Sequence, residues 1–201
     1  GHTPETLEYG VSSVVFRRHT KPFHPTRLKA VFAGFGNYAT SIAAMATQKT
    51  IEAQTAGVGP LQGVVRAKGK LWIASSHAHS VLVHIAGRHL EMEAEAVPYL
   101  AAVPREEWDD DDRQLFEDLK ADEVWHEDTG FGDRESELIF IGVKLDKKRI
   151  TEALEEALLT DEEFKAGVQS WRKFEDVFFD GEYFAVGDDE EEEDDEEEEQ
   201  E

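Results

Sequence analysis

The segment Glu137 to Lys144 (ELIFIGVK) constrains the fold more than any other part of the chain. It is nearly continuous in apolar residues, yet far shorter than the roughly 20 residues needed to cross a bilayer. A short run of this kind is expected as a central strand covered by helices. Such a strand needs neighbours, and the pattern offers four. Val11 to Arg17 (VSSVVFR) follows Gly10 and is rich in β-branched residues. From Gly63 to Ser75 the side chains alternate, with Val65, Ala67, Gly69, Leu71 and Ile73 expected on one face. Arg66, Lys68, Lys70 and Trp72 are expected on the other. Ser80 to Ala86 and His89 to Ala96 flank Ala86-Gly87-Arg88, whose glycine suits a tight hairpin, so these two strands should be antiparallel.

Helical spacing fills the intervals. Pro25 sits where the first turn of a helix tolerates proline, and Leu28, Val31, Phe32 and Phe35 continue the stripe. Residues 37 to 60 have weak periodicity and are expected as a variable helix or loop. Pro98 and Pro104 end the sheet signal. Arg113 to Ala121 carries Leu115, Phe116 and Leu119 after an acidic run, and reads as an exposed helical excursion. Asp146 can cap a helix with Ile150, Leu154, Ala157 and Leu158 on one stripe, and Thr160 with Glu163 forms a capping box closed near Gly167. The expected architecture is α+β: a mostly antiparallel β-sheet with helices packed on it, over residues 1–187.

Charge separates the last residues from this domain. The 201 residues hold 45 acidic against 21 basic side chains, a net charge of −24. Asp188 to Glu201 contains thirteen of the acids, so without it the charge is −24 + 13 = −11. That tail repels itself and is expected to be disordered and solubilising. A chain so acidic is a poor ligand for nucleic acid. No segment reads as a membrane span or a signal peptide, so a soluble, cytoplasmic protein is expected. Gly1 and His2 read as the remnant of a cleaved tag, implying a missing neighbour. The absence of cysteine rules out disulfides, thiolate metal sites and a cysteine nucleophile in this sequence.

The sequence has no phosphate-binding loop, dinucleotide fingerprint, zinc-protease helix or nucleophile elbow. No catalytic residue is therefore expected in this chain alone. His77 and His79, two apart, would place both imidazoles on one side of an extended segment and so could share one divalent metal ion. The more common reading of such a pair is two exposed loop histidines. Arg66, Lys68, Lys70 and Trp72 could form a docking surface, or a solvated face with cationic stems lying over the indole. Asp133 and Arg134 could engage a partner, or could hold the turn that follows Gly132. Trp108, Trp125 and Trp171 stand among charges, where large aromatics usually close the edge of a small core.

Seven ordered segments add a resemblance. They are YGVSSVVFR (Tyr9 to Arg17), KPFHPTRL (Lys21 to Leu28), VVRAKGKLWIAS (Val64 to Ser75) and AGR (Ala86 to Arg88), followed by AAVPREEW (Ala101 to Trp108), FGDRESELIFIGVKLD (Phe131 to Asp146) and ALLTDEEFKAGVQSW (Ala157 to Trp171). Together they resemble the C-terminal domain of CobW-type P-loop GTPases, a family of nucleotide-dependent metallochaperones. The resemblance implies an accessory interaction domain that packs beside a GTPase domain and helps engage a client metalloprotein or its zinc or cobalt. The GTP and magnesium site would belong to the N-terminal domain, which this sequence lacks. Two other readings come from the residues alone: a metal-buffering module built on the histidines, and an acidic-tail chaperone for basic proteins.

Overall fold

The structure is a computed structural model that describes residues 10–35 and 59–186. The variable segment expected over 37–60 falls outside these residues except for its last two, as do the 187/188 boundary and the acidic tail. In chain order the regular elements are β1 (Val11–Arg18), α1 (Pro25–Val31), β2 (Val64–Leu71), β3 (Val81–Ala86), β4 (His89–Ala94), α2 (Asp110–Ala121), β5 (Ser136–Val143), α3 (Lys147–Ala157), α4 (Asp161–Lys165) and α5 (Val168–Trp171). The strands form one five-stranded sheet in the order β1-β5-β2-β3-β4. All adjacent strands are antiparallel. The last strand in sequence thus inserts between the first two, as its apolar run demanded.

The core lies on one side of the sheet. Val14 and Phe16 of β1, Ala67 and Leu71 of β2, Val81, Val83 and Ile85 of β3, and Leu138 and Phe140 of β5 point into it. Helices α1 and α3 cover that side and pack on each other, contributing Leu28, Ile150, Leu154 and Ala157. Burying a side chain of this kind stabilises the fold by about 1.5–3 kcal/mol. The helices start where the sequence provides for them. Pro25 opens α1, and the Asp146 carboxylate accepts from the Arg149 N–H at 3.0 Å at the start of α3. Thr160 and Glu163 form a reciprocal capping box at α4. Helix α2 buries no residue, consistent with an excursion, and starts at Asp110 because Asp109 and Asp112 cap it reciprocally.

Two expectations about the sheet are corrected. First, β5 is covered on one face only: Leu138 and Phe140 are buried, whereas Ile141 is 40% exposed. Its apolar run reflects a core face and an uncovered apolar face. Second, the alternation through Gly63 to Ser75 breaks twice. The register of β2 against β5 shifts between Val64 and Arg66, so Val64 is buried and Val65 is turned outward. The strand also ends at Leu71. Trp72 N–H donates to Ser136 Oγ at 2.9 Å and Trp72 C=O accepts from Phe23 N–H at 2.9 Å, which fixes the chain in a different direction.

A second, aromatic cluster closes the end of the sheet. Trp72, Tyr99, Leu159, Trp171 and Phe184 form its buried part, with Phe131 and Phe164 packed against them. Trp72 is 0% exposed, so it is no part of a basic surface.

Candidate functional site

The face opposite the helices carries exposed side chains on β1, β2, β3 and β5 and is covered by no helix among the described residues. Its residues follow from the register. One row across the strands runs Val15, Ile139, Lys68, His84 and Glu91, and the next runs Arg17, Glu137, Lys70, Leu82 and Glu93. Val11, Val15, Ile141 and Val143 make an exposed apolar stripe along β1 and β5. Beside it, Arg66 and Lys68 make no salt bridge among the described residues. Lys70 pairs with Glu135 at 2.9 Å. A shallow groove of about 540 Å³ crosses this face between Lys68, Lys70, Leu82, His84, Glu93 and Ile139. Three of the four residues expected as a docking surface are therefore on an open face, and Trp72 is not.

His77 and His79 do not share an extended segment. A turn of 3-10 helix, Ala74–Ser76, precedes them, and His77 itself has helical angles. His77 is buried against Trp72, Phe131, Trp171 and Phe184. Its Nδ1 accepts from the Trp72 indole N–H at 3.2 Å, and burial, aided by the Arg134 charge, holds its pKa well below the ordinary imidazole value. His79 instead places Nδ1 at 2.7 Å from the Glu95 carbonyl oxygen and rests against Tyr183. The two imidazoles thus serve separate surroundings.

Asp133 and Arg134 are likewise turned inward. The Asp133 carboxylate accepts from Leu100 N–H at 2.8 Å and Ala101 N–H at 3.0 Å, pinning the short turn Leu100–Ala102. Arg134 is 5% exposed, donates to the His77 carbonyl at 2.8 Å and the Phe131 carbonyl at 3.1 Å, and lies over the Tyr99 ring. These are fixtures of the turn after Gly132, and their polar groups are spent inside the domain.

The same turn assembles a group that the sequence reading did not single out. His126 N–H donates to the Gly132 carbonyl at 2.9 Å, and Thr129 Oγ1 donates to the His126 carbonyl at 3.2 Å. His126 stacks on His19, just after β1, with ring centroids 4.0 Å apart and planes 17° apart. His19 Nε2 lies 3.8 Å from Asp128 Oδ2. One ligand atom from each of His19, His126 and Asp128 falls within 4.8 Å of the other two. His126 Nε2 is 3.1 Å from Glu135 Oε2, the carboxylate that also holds Lys70. Burial opposes the Glu135 charge, but Lys70 and His126 outweigh it and keep that carboxyl below its usual range. The local signal in the sequence was His126 and Asp128 two apart beside Gly130 and Gly132; nothing local pointed to His19. A cleft of about 350 Å³ opens beside His126, lined in part by Trp108, Trp125 and Gly132. Trp108 and Trp125 meet edge to face there, with Phe116 of α2 against both.

An antiparallel sheet with helices on one face defines the class among the described residues: an α+β domain. Residues 11–158 match the cobalamin synthesis protein cobW C-terminal domain, and the chain belongs to that family. It is 32% identical over 176 residues to the zinc-regulated GTPase metalloprotein activator 1 of Dictyostelium discoideum, covering 87% of this chain and 31% of that protein. It is 36% identical over 122 residues to a zinc chaperone of Mycobacterium tuberculosis, covering 60% of this chain and 29% of that protein. Among solved structures, the Zn(II)-bound YjiA GTPase from E. coli is similar at 15% identity with a TM-score of 0.39, over 78% of this chain and 32% of that one. The chain thus spans less than a third of the length of these curated relatives. No helix among the described residues is long and apolar enough to cross a membrane.

Proposed function

We propose that this chain is the non-enzymatic interaction domain of a GTP-dependent metallochaperone that delivers zinc, or cobalt, to client metalloproteins. GTP and magnesium would bind the GTPase region, which lies outside this sequence. The observation that carries the reading is the open sheet face. An exposed apolar stripe bordered by Arg66 and Lys68 is a surface that a partner covers. The occupant we assign to it is the GTPase region of the same protein. In the relatives more than two thirds of the chain lies beyond the matched part, and a covalently attached region meets this face at high effective concentration. The client would then be engaged by the assembled pair.

The test combines the purified chain with the remaining region of the Dictyostelium relative. Association is expected, weakened at least tenfold by Val15→Glu together with Ile141→Glu, and less by Arg66→Glu with Lys68→Glu. The chain alone should neither bind nor hydrolyse GTP. GTP hydrolysis by the chain, or binding that ignores substitutions on this face, would sink the reading.

A further inference from the structure

We propose that His19, His126 and Asp128 form a zinc site with Glu135 as its outer partner. Two imidazoles and one carboxylate are a ligand set that suits zinc, and a soft thiolate is not required. Three protein ligands leave the fourth tetrahedral position open, which is the arrangement of an exchangeable site and not of a closed structural one. The proposal extends the metallochaperone reading and rests on it for its biological purpose, while the binding itself stands on geometry alone.

The group is half built. His126 is positioned by backbone hydrogen bonds on both sides of its residue and by Glu135 at its Nε2. When Nε2 carries the proton toward Glu135, Nδ1 holds the lone pair a metal needs. A carboxylate behind a ligating imidazole fixes its tautomer and raises its basicity. Glu135 is held in place for this by Lys70, whose Nζ lies 2.9 Å from its Oε1. His19 and Asp128 form the adjustable half, with side chains 40% and 70% exposed. Zinc–nitrogen and zinc–oxygen bonds of about 2.0–2.2 Å require ligand atoms nearer to one another than the present separations of up to 4.8 Å. The His19 and His126 rings are stacked nearly parallel, so His19 must also turn out of the stack for both in-plane lone pairs to meet one ion. Rotation of the exposed His19 and Asp128 side chains would supply that closure. Lys70 thereby acquires a role distinct from surface docking: it positions Glu135, and through it His126.

The experiment is a zinc titration of the full chain, followed by NMR of the histidine ring nitrogens, with excess magnesium present to occupy sites that bind through carboxylates only. One equivalent of zinc should shift the His19 and His126 ring resonances together and leave His77 unmoved. His19→Ala and Asp128→Asn, both at exposed side chains, should each weaken zinc binding at least tenfold without changing the spectrum of the core. Glu135→Gln should weaken it about tenfold, the lower end of what loss of an outer-shell carboxylate costs. Cobalt should give a visible absorption band that disappears in the same variants. Zinc that shifts His77 or His79 instead, that leaves the His19 and His126 rings unmoved, or whose affinity is indifferent to His19→Ala, would overturn the site. Failure of the GTPase region to bind the sheet face would leave this result unaffected, so the two proposals fail separately.

Discussion

His77 and His79 stand two apart in the chain and share nothing in space, whereas His19 and His126 come from distant segments and stack with centroids 4.0 Å apart. The first pair was separated by packing. His77 sits in an aromatic cage where a neutral ring accepts from an indole, and His79 turns to a carbonyl and a tyrosine. The second pair was brought together by topology: the end of β1 and the turn leading into β5 lie side by side because those strands pair. Spacing along a chain reports shared chemistry only while the local backbone stays regular. Tertiary pairing creates neighbours that no spacing rule contains.

The comparison can be broken from the cage side first. Trp171→Ala removes a side chain that is 1% exposed, packs on His77 and donates from its indole to the Glu163 carbonyl at 2.8 Å. A loss of about 3–5 kcal/mol is expected in denaturant unfolding, and His77 should titrate nearer to the ordinary imidazole range once water enters. Next in size is Gly132→Ala. Gly132 has φ +63°, and a Cβ there would lie 2.5 Å from Ala101 Cβ and 2.8 Å from the Trp125 ring. Left-handed strain and overlap together should cost about 1–3 kcal/mol, and the His126 hydrogen bond to the Gly132 carbonyl should loosen with it. Thermal melting checks the first effect and amide exchange at His126 the second.

How much was legible in the sequence follows the same division. The strands, the hairpin, the caps of α3 and α4 and the exposed excursion of α2 all rest on patterns within one segment, and those patterns were readable. Trp72 was misplaced because the alternation was extended past Leu71, where pairing with Phe23 redirects the chain. Val65 was misplaced by a bulge, which shifts the parity of a strand by one residue without changing its composition. Ile141 and Val143 were expected under helices because apolar residues signal burial, whether the cover is an element of the chain or a partner. Arg134 carried two readings, a partner contact or a charge that holds the turn, and its burial behind the turn required knowing that Tyr99 and the His77 carbonyl lie against it.

Acid should act on the caged His77. His77 has a folded pKa well below 6.5, so the unfolded chain binds the proton more readily. Its contribution is fully present above about pH 6.5 and is lost as pH falls below that value toward the folded pKa, at up to about 1.4 kcal/mol per pH unit. His77→Gln keeps an acceptor for the Trp72 indole and should flatten that slope. A second acid window belongs to Glu163, whose carboxyl the hydrogen-bonded Arg27 guanidinium draws down to about 2, against burial, with help from the Thr160 N–H. That contribution is present above the unfolded value near 4.5 and disappears as pH falls through about 2. Arg27 Nη1 lies 3.0 Å from Glu163 Oε1 and Nη2 2.5 Å from Oε2, and a double-mutant cycle on the pair should give about 1 kcal/mol.

The smallest expected effect sharpens the comparison most. His19→Ala deletes a half-exposed ring whose neighbour Asp128 is itself mostly in water, so unfolding free energy should change by less than about 0.5 kcal/mol. His77→Ala leaves the Trp72 indole N–H unsatisfied inside an aromatic cluster and should cost several times more, since both a void and an orphaned donor result. Equal costs at the two positions, measured in the same denaturant series, would mean that the His19 ring is packed into the domain as firmly as His77. A histidine whose removal leaves the fold intact is one whose geometry the fold does not need, and that freedom is what an exchangeable metal ligand requires.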